Sequence, residues 1–168
     1  DRNPLALQAP DKCPENLIGV NQKVRLLADT GVDAVLVLRF DEDLASLAAD
    51  EFASLVLVDA LAAEAVLVGA DFRFGRGGVG TAQTLTAFGL SHGFEVDVVH
   101  DVRAADRGRR VSSTWIRELL SSGDVVGARK LLGRDHSVVG EVVHGLKRGR
   151  EIGYPTANLS DDLEGFVP

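Results

Sequence analysis

The stretch Gly140–Asn158 combines residue types that could hold a phosphate and a metal ion. It contains four glycines, which let the backbone approach a ligand closely, and several cations that could neutralise phosphate charge. The Thr156 hydroxyl and the Asn158 amide carbonyl are hard oxygen ligands of the kind that Mg²⁺ takes. A hairpin rich in turn residues and solvated charge is the alternative, but the combination favours a nucleotide loop. Its candidate nucleotide-binding residues are Gly145, Lys147, Gly149, Arg150 and Gly153.

A second phosphate-binding signal is the run Val111–Arg117, where a loop is predicted to enter a helix. The first turn of a helix has unpaired N–H groups and a partial positive charge, so it favours an anion. Arg117, one turn further on, could form forked hydrogen bonds to a phosphate. The alternative is an ordinary helix cap followed by a surface arginine, but the surrounding architecture favours the anion site. The candidate residues here are Ser112, Ser113, Thr114 and Arg117.

A third candidate is the loop that follows the apolar run ending at Val68. In open parallel sheets, ligands bind beyond the carboxyl ends of the strands. Phe72 and Phe74 could stack on a planar ligand, and Asp71 could orient one of its polar edges. The alternative, equally supported, is a loop whose phenylalanines plug the end of the sheet.

The composition is that of an ordinary globular chain. It has 168 residues, 45% hydrophobic and 26% charged, and a net charge of −7 that argues against broad nucleic-acid binding. The single cysteine, Cys13, excludes a disulfide within the chain and a cysteine-based zinc site. No apolar run is long enough for a membrane span and no signal peptide is evident, which favours the cytoplasm. Because the sequence contains no methionine, not even at position 1, and closes on the apolar residues 166–168, we expect it to lack residues at both ends.

Three apolar runs, Ala34–Phe40, Ala65–Val68 and Phe94–Val99, predict strands buried on both faces. Patterns with helical spacing precede each run or lie between them, at residues 24–28, 52–60 and 85–92. Alternation of this kind predicts a doubly wound α/β domain with a parallel sheet.

The pattern changes after the third run. Two short helices are predicted at Ser113–Ser122 and Asp124–Leu132, each followed by a glycine, and β-like, glycine-punctuated sequence begins at Ser137. We therefore place a domain boundary near residues 133–136. It divides the chain into an α/β domain, residues 1–133, and the start of a β-rich domain, residues 134–168, which is too short to bury its own core.

These motifs together resemble the bacterial bifunctional riboflavin kinase/FAD synthetase family. The matching segments occur in the family's order: Val68–Gly75, Val111–Arg117, Gly123–Arg134 and Gly140–Asn158. The resemblance implies a nucleotidyltransferase-like domain that transfers AMP from ATP to FMN, giving FAD and pyrophosphate. It also implies a β-barrel kinase domain that phosphorylates riboflavin to FMN, with Mg²⁺ required for both reactions.

The resemblance also implies roles for individual residues. Ser113, Thr114 and Arg117 would grip ATP phosphates, and the loop starting at Asp71 would border the flavin. Thr156 and Asn158 would hold Mg²⁺ and phosphate in the kinase, under a nucleotide-covering loop, residues 145–153. The family's paired-histidine segment and its kinase glutamate are absent, so we expect an incomplete portion that catalyses neither reaction well.

Two other functions stay open at this stage. One is a flavin- or nucleotide-sensing regulator without catalysis, for which the missing histidines would be genuine. The other is a different adenylyltransferase of the same superfamily, such as one acting on pantetheine phosphate, although it would leave residues 155–158 unexplained. The partners expected in every case are small nucleotides or flavins, and the sequence does not predict an oligomeric state.

Overall fold

The computed structural model describes residues 3–104, 108–145, 152–154 and 156–168, and all structural statements concern these residues. The chain divides into two compact units. The first unit comprises Asp1–Cys13 and Val37–Arg110, and the second comprises Pro14–Leu36 and Val111–Pro168. Each unit is described by itself.

The first unit is a mixed α/β structure built around one parallel pair of strands. Strands β1 (Ala65–Gly69) and β4 (Glu95–Val99) pair in parallel, with Val66 opposite Val96, and helix α5 (Ala82–His92) lies between them in the chain. Strands β2 (Arg73–Phe74) and β3 (Gly80–Thr81) form a short antiparallel pair. The elements in chain order are α1 (Leu5–Gln8), a 3-10 turn (Pro10–Lys12), α3 (Glu42–Ser46), α4 (Ala49–Phe52), a π-helical segment (Ala53–Ala60), β1 (Ala65–Gly69), β2 (Arg73–Phe74), a 3-10 turn (Arg76–Gly78), β3 (Gly80–Thr81), α5 (Ala82–His92) and β4 (Glu95–Val99), while α2 belongs to the second unit.

Local sequence signals explain the βαβ unit. The Thr81 hydroxyl accepts a hydrogen bond from the Thr84 N–H at 3.1 Å and so caps the start of α5. Gly93 ends the helix in the left-handed region, with φ of +83°, as glycine does at many helix ends. The apolar faces of the strands and α5 meet in one core, whose buried members are Ala53, Val68, Phe74, Ala82, Leu85 and Phe94.

The prediction of a buried strand at residues 34–40 is wrong. These residues form no strand, and Leu36 and Val37 are 53% and 46% exposed. An apolar, β-branched run becomes a strand only where a neighbouring strand offers hydrogen-bond partners, because β-propensity largely reflects packing against neighbours. Among the described residues the parallel sheet consists of β1 and β4 alone. The small parallel sheet is therefore confirmed, and the larger doubly wound sheet stays a prediction.

The predicted helix over residues 52–60 is present in two forms. An α-helical turn, α4, runs directly into the π-helical segment Ala53–Ala60. Its apolar residues are predominantly buried or half-buried, with Ala53 and Val56 in the interior. The helical spacing therefore predicted a helix here, but not its buried face, because Leu55 and Ala60 are exposed while Val56 is buried. It did not predict the wider π-helical turn either.

In its described residues, the second unit contains three helices and a short antiparallel strand pair. The helices are α2 (Val20–Ala28), α6 (Ser113–Ser121) and α7 (Val125–Leu132), and the strands are β5 (Val142–Val143) and β6 (Asn158–Leu159). The predicted cap of α7 is confirmed, since the Asp124 carboxylate accepts a hydrogen bond from the Gly127 N–H at 2.8 Å. The buried core residues of this unit are Ile116, Leu120, Ala128 and Phe166.

The β-rich character predicted after Ser137 is limited to few contacts. Strands β5 and β6 pair Val142 with Leu159, and an isolated bridge joins Val139 to Glu164. A β-barrel is not confirmed by these contacts, and the domain boundary at residues 133–136 stays a prediction. Within the described part of the chain, no helix has the length and apolar character needed to cross a membrane.

Candidate nucleotide and flavin site residues

The start of α6 presents the residues predicted to bind phosphate. Ser112 is the N-cap residue, and its hydroxyl accepts a hydrogen bond from the Trp115 N–H at 3.3 Å. Ser113 and Thr114 occupy the first turn and are exposed, while Trp115 is buried behind them. A helix start of this kind offers backbone N–H groups and a partial positive charge to an anion. The sequence thus placed the helix start and its exposed hydroxyls correctly.

Arg117 lies one turn beyond this helix start and is half-buried. Residues four apart in a helix lie on one face, so Arg117 shares a face with Ser113. The Arg117 Nε donates a hydrogen bond to the Glu15 carbonyl oxygen at 2.6 Å. A guanidinium has five N–H donors, so this bond orients the group while using only one of them. The arrangement can present a fixed positive charge beside the first turn of α6.

In the first unit, the carboxyl ends of β1 and β4 carry a linked set of charges. Asp71 follows β1 by two residues and Asp101 follows β4 by two residues. Arg110 joins them: its Nη2 lies 2.7 Å from Asp71 Oδ2 and its Nε lies 3.1 Å from Asp101 Oδ1. We call Asp71, Asp101 and Arg110 the strand-end cluster. It lies at the edge of the sheet where α/β proteins bind their ligands.

Within the strand-end cluster, Asp71 and Arg110 stabilise each other's charged form. The hydrogen bond from Arg110, and then its charge, hold the pKa of Asp71 below its ordinary value. The hydrogen bond to Asp71 raises the pKa of Arg110 above its ordinary value, and the charge of Asp101 adds to this effect. Since the Asp71 side chain is 64% exposed, the pair sits in solvent and can exchange partners with a ligand.

Arg110 and Asp101 were not identified from the sequence. The signal that could have found Asp101 is positional: Asp71 stands three residues beyond the predicted run Ala65–Val68, and Asp101 stands two residues beyond the predicted run Phe94–Val99. Carboxyl ends of parallel strands meet at one edge, so two carboxylates there favour a nearby cation.

The two predicted flavin-stacking phenylalanines have different surroundings. Phe74 is buried in the core of the first unit, while Phe72 is half-buried. The two rings stack at a centroid distance of 5.5 Å and an interplanar angle of 18°. The Phe52 ring packs against Phe74 in a tilted arrangement, with ring centroids 5.9 Å apart. Phe74 therefore supports Phe72 from the core, and Phe72 has the accessible surface.

The strand pair β5–β6 brings two predicted kinase residues together. Val143 pairs with Asn158, and the Asn158 amide lies against the Gly145 Cα, in the space that a Cβ would occupy. A side chain at position 145 would therefore displace the Asn158 amide from this position. Thr156 is exposed, and Gly153 has a φ of +81°, which glycine adopts readily. The other predicted members of this loop, Lys147, Gly149 and Arg150, lie outside the described residues.

The chemistry of the available donors fits Mg²⁺ better than a transition metal. In the described part of the chain, no three His, Cys, Asp or Glu residues come together in a metal-binding group. Mg²⁺ needs few protein ligands, because it keeps several waters and binds the phosphates of its nucleotide. The exposed Thr156 hydroxyl and Asn158 amide oxygen are suitable ligands for a Mg²⁺–nucleotide complex.

Comparison with known families identifies the chain. The family model described as FAD synthetase matches residues 1–115, which is more than half of the chain. The chain belongs to the FAD synthetase family. Downstream, the family model described as riboflavin kinase matches residues 132–167. The resemblance drawn from the motifs is therefore confirmed.

Relatives and a solved structure agree with this family. The bifunctional riboflavin kinase/FMN adenylyltransferase of Escherichia coli strain K12 is 42% identical over 93% of this chain and 49% of its own length. Its counterpart in Haemophilus influenzae is 38% identical over 87% of this chain and 47% of its own length. A Streptococcus pneumoniae crystal structure described as a macrolide-efflux protein matches with a TM-score of 0.75 and 34% identity, over 95% of this chain and 51% of the other. The chain of this FAD synthetase family member spans about half the length of the curated relatives it matches.

Proposed function

We propose that this protein, at its full encoded length, makes FAD in two steps: phosphorylation of riboflavin to FMN, and transfer of AMP from ATP to FMN. The observation that carries the proposal is the tandem match of one chain to FAD synthetase, residues 1–115, and riboflavin kinase, residues 132–167. We assign adenylyl transfer to the domain of residues 1–133. Riboflavin phosphorylation belongs to the domain that begins at residue 134.

In adenylyl transfer, a phosphate oxygen of FMN attacks the α-phosphorus of ATP. The bond from that phosphorus to the bridging oxygen breaks, and pyrophosphate leaves. We assign the ATP phosphates to the start of α6, with Ser112, Ser113 and Thr114 as hydrogen-bonding residues. Arg117 stabilises the phosphate charge that is redistributed during transfer. The support for this assignment is the exposed first turn of α6 and the guanidinium held by the Glu15 carbonyl.

We assign the flavin to the loop that begins at Asp71. Phe72 contacts the ring system, Phe74 supports Phe72 from the core, and Asp71 binds a polar edge of the ring. The support is the stacked Phe72–Phe74 pair and the exposure of Asp71. Asp71 is an exposed, ionised carboxylate, so the loop offers a hydrogen-bond acceptor rather than a donor, and the contact with Arg110 at 2.7 Å orients it.

In riboflavin phosphorylation, the 5′ hydroxyl oxygen attacks the γ-phosphorus of ATP and its proton passes to a general base. The bond from that phosphorus to the β,γ-bridging oxygen breaks, and ADP leaves. Thr156 and Asn158 supply protein oxygens for the nucleotide's Mg²⁺. Mg²⁺ supplies charge neutralisation at the phosphates in both reactions. Gly145, Lys147, Gly149, Arg150 and Gly153 belong to the loop that covers the nucleotide. The support is the close packing of Asn158 on Gly145 and the exposure of Thr156.

The setting of both reactions follows from the bulk properties. We place the protein in the cytoplasm, where its substrates are small nucleotides and flavins. The net charge of −7 does not favour nucleic acid as a partner. The efflux description of the Streptococcus pneumoniae structure is not extended to this chain, because both family models and the curated relatives share the flavin description.

The test supplies the full-length protein with ATP and Mg²⁺ plus either riboflavin or FMN, and separates the flavins by chromatography. We expect FMN from riboflavin and FAD from FMN, with pyrophosphate released in the second reaction. Tight binding of flavin and ATP without either product would replace this proposal with the non-catalytic sensor.

A further inference from the structure

Phe166 is a buried residue at the centre of the second unit, although it lies in the segment matched by the riboflavin kinase model. Its side chain is 9% exposed and belongs to the same core as Ile116 and Leu120 of α6 and Ala128 of α7. The packing of α6 therefore depends in part on a residue about fifty positions further along the chain.

The backbone of Phe166 is fixed on both sides. Its N–H donates a hydrogen bond to the Leu17 carbonyl at 3.2 Å. Its carbonyl oxygen lies 2.7 Å from His136 Nε2. A carbonyl can only accept, so His136 carries its proton on Nε2 in this contact. Phe166 thus joins the segment around Leu17 to the segment around His136.

The segment that contains Leu17 also holds Arg117. The Glu15 carbonyl, two residues before Leu17, accepts the hydrogen bond from Arg117 Nε. Phe166 consequently supports α6 in two ways. Its ring packs on the buried face of the helix, and its N–H holds the chain segment that orients the Arg117 guanidinium.

Glu164 fixes the same short stretch to helix α2. Its carboxylate oxygens accept hydrogen bonds from Asn21 Nδ2 at 2.6 Å and from the Gln22 N–H at 3.1 Å. These donors lie in the first turn of α2, where a carboxylate is favoured by the helix dipole. Gly19, just before the helix, has the Glu164 side chain in the space of a Cβ. Residues 164–166 are therefore held at both ends.

We infer that Phe166 is a positioning residue for adenylyl transfer: a side chain in the kinase-matched segment sets the position of α6 and of Arg117. The inference rests on the proposed function of α6 as the ATP phosphate site. It implies that the segment matched by riboflavin kinase is needed for the full ATP affinity of the FAD synthetase reaction, even where no riboflavin is phosphorylated.

The test compares Phe166→Leu with Val167→Ala, a neighbouring change at an exposed side chain. In the full-length protein, we expect Phe166→Leu to raise the KM for ATP in FAD formation by about tenfold. This is the effect of weakening one charge-assisted hydrogen bond, here from Arg117 to an ATP phosphate. We expect kcat to fall as well, by about threefold to tenfold, because Arg117 also stabilises the phosphate charge that is redistributed during transfer. Val167→Ala should match the wild type in both constants.

A second readout does not depend on activity. Trp115 is the single tryptophan of the chain, lies in the first turn of α6 and is 4% exposed. We expect its fluorescence emission to shift in Phe166→Leu, with unchanged far-ultraviolet circular dichroism, and to stay in place in Val167→Ala. Should Phe166→Leu fail to fold, Glu164→Gln takes its place. The amide NH₂ of the glutamine cannot accept a hydrogen bond, so one of the two donors of α2, Asn21 Nδ2 or the Gln22 N–H, would lose its acceptor.

The outcomes separate the two claims. An unchanged KM for ATP together with unchanged Trp115 emission would overturn the positioning role. Loss of kcat at constant KM, as expected when a fraction of the protein is merely misfolded, would also overturn it. If the wild-type protein forms no FAD, the proposed function fails, and the Trp115 emission of the variants still decides whether Phe166 positions α6.

Discussion

Two regions of the second unit were expected to bind ATP phosphates, and they are built in different ways. The start of α6 has exposed hydroxyls on a helix whose next residues, Trp115 and Ile116, are buried. The β5–β6 region has exposed residues on a two-residue strand pair, with Asn158 packed on Gly145. The helical site is held by a hydrophobic core, whereas the hairpin site is held by backbone pairing and a close glycine contact. We therefore expect ligand binding to change the conformation of the hairpin site, the β5–β6 region, more than that of α6.

The largest effect is expected at the helical site. Arg117→Ala removes the guanidinium that shares a face with Ser113, together with its bond to the Glu15 carbonyl. Hydrogen bonds to charged groups contribute about 1.5–3 kcal/mol, so FAD formation from FMN should fall by about tenfold to a hundredfold. Steady-state assays of both reactions on the full-length protein measure this change. Riboflavin phosphorylation should be nearly unchanged, and an equal loss of both activities would argue against separate sites.

The reverse pattern is expected at the hairpin site. Asn158→Ala removes an amide oxygen proposed to bind the Mg²⁺ of the kinase nucleotide. FMN formation by the variant should therefore fall by about tenfold, and raising the Mg²⁺ concentration should restore part of the lost activity. FAD formation from FMN should be unaffected. The measurement is the Mg²⁺ dependence of FMN formation, with the exposed Asp162→Asn as a matched control. Wild-type kinase activity in Asn158→Ala would remove this residue from the metal site.

A third prediction concerns the strand-end cluster, whose residues are held by charge rather than by a core or a hairpin. In Arg110→Gln, the pKa of Asp71 should rise towards its ordinary value, because its hydrogen-bonded cation is gone. In the wild type, because the pKa of Asp71 is lowered, this pair stabilises the folded state at pH values above the pKa that Asp71 has in the unfolded chain. That contribution is lost as the pH falls through the lowered value.

Carboxyl-carbon NMR titration measures the pKa of Asp71 in the variant. The KM for FMN in FAD formation should rise by about threefold to tenfold, because Asp71 loses the contact with Arg110 that orients its carboxylate. Arg76→Gln, a change at an exposed arginine outside the cluster, is the control and should leave both quantities unchanged. A wild-type KM for FMN in Arg110→Gln, despite a raised Asp71 pKa, would remove the cluster from the flavin site.

These residues also show what sequence reasoning could reach. The helices α2, α5, α6 and α7 and the strands β1 and β4 were predicted, because caps, glycine stops and apolar periodicity are local signals. Residues 34–40 were mispredicted, and Arg110 was missed. Both depend on contacts distant in the chain: the first on a neighbouring strand, the second on two carboxylates brought together by parallel pairing. The catalytic and binding roles of the predicted site residues stay predictions.

A smaller effect is expected where a glycine lies against a neighbouring side chain. Gly145→Ala places a methyl group in the space of the Asn158 amide. Since that side chain is exposed and can rotate away, the free energy of unfolding should change little, while FMN formation should fall by about threefold through displacement of Asn158. In the double variant with Asn158→Ala, the added loss should disappear. Independent, additive losses would show that Gly145 acts without Asn158.

The smallest effect separates a helix cap from a phosphate ligand. Ser112 caps α6 and Asp124 caps α7, each through a hydrogen bond to a backbone N–H three residues on. Replacing either by alanine should lower the free energy of unfolding by about 1 kcal/mol, measured by urea denaturation. Only Ser112→Ala should also raise the KM for ATP in FAD formation, by about threefold, because only its hydroxyl lies beside the proposed phosphates. Equal stability losses with no change in the KM for ATP in either variant would leave Ser112 as a cap alone. The binding surface of α6 would then begin at Ser113.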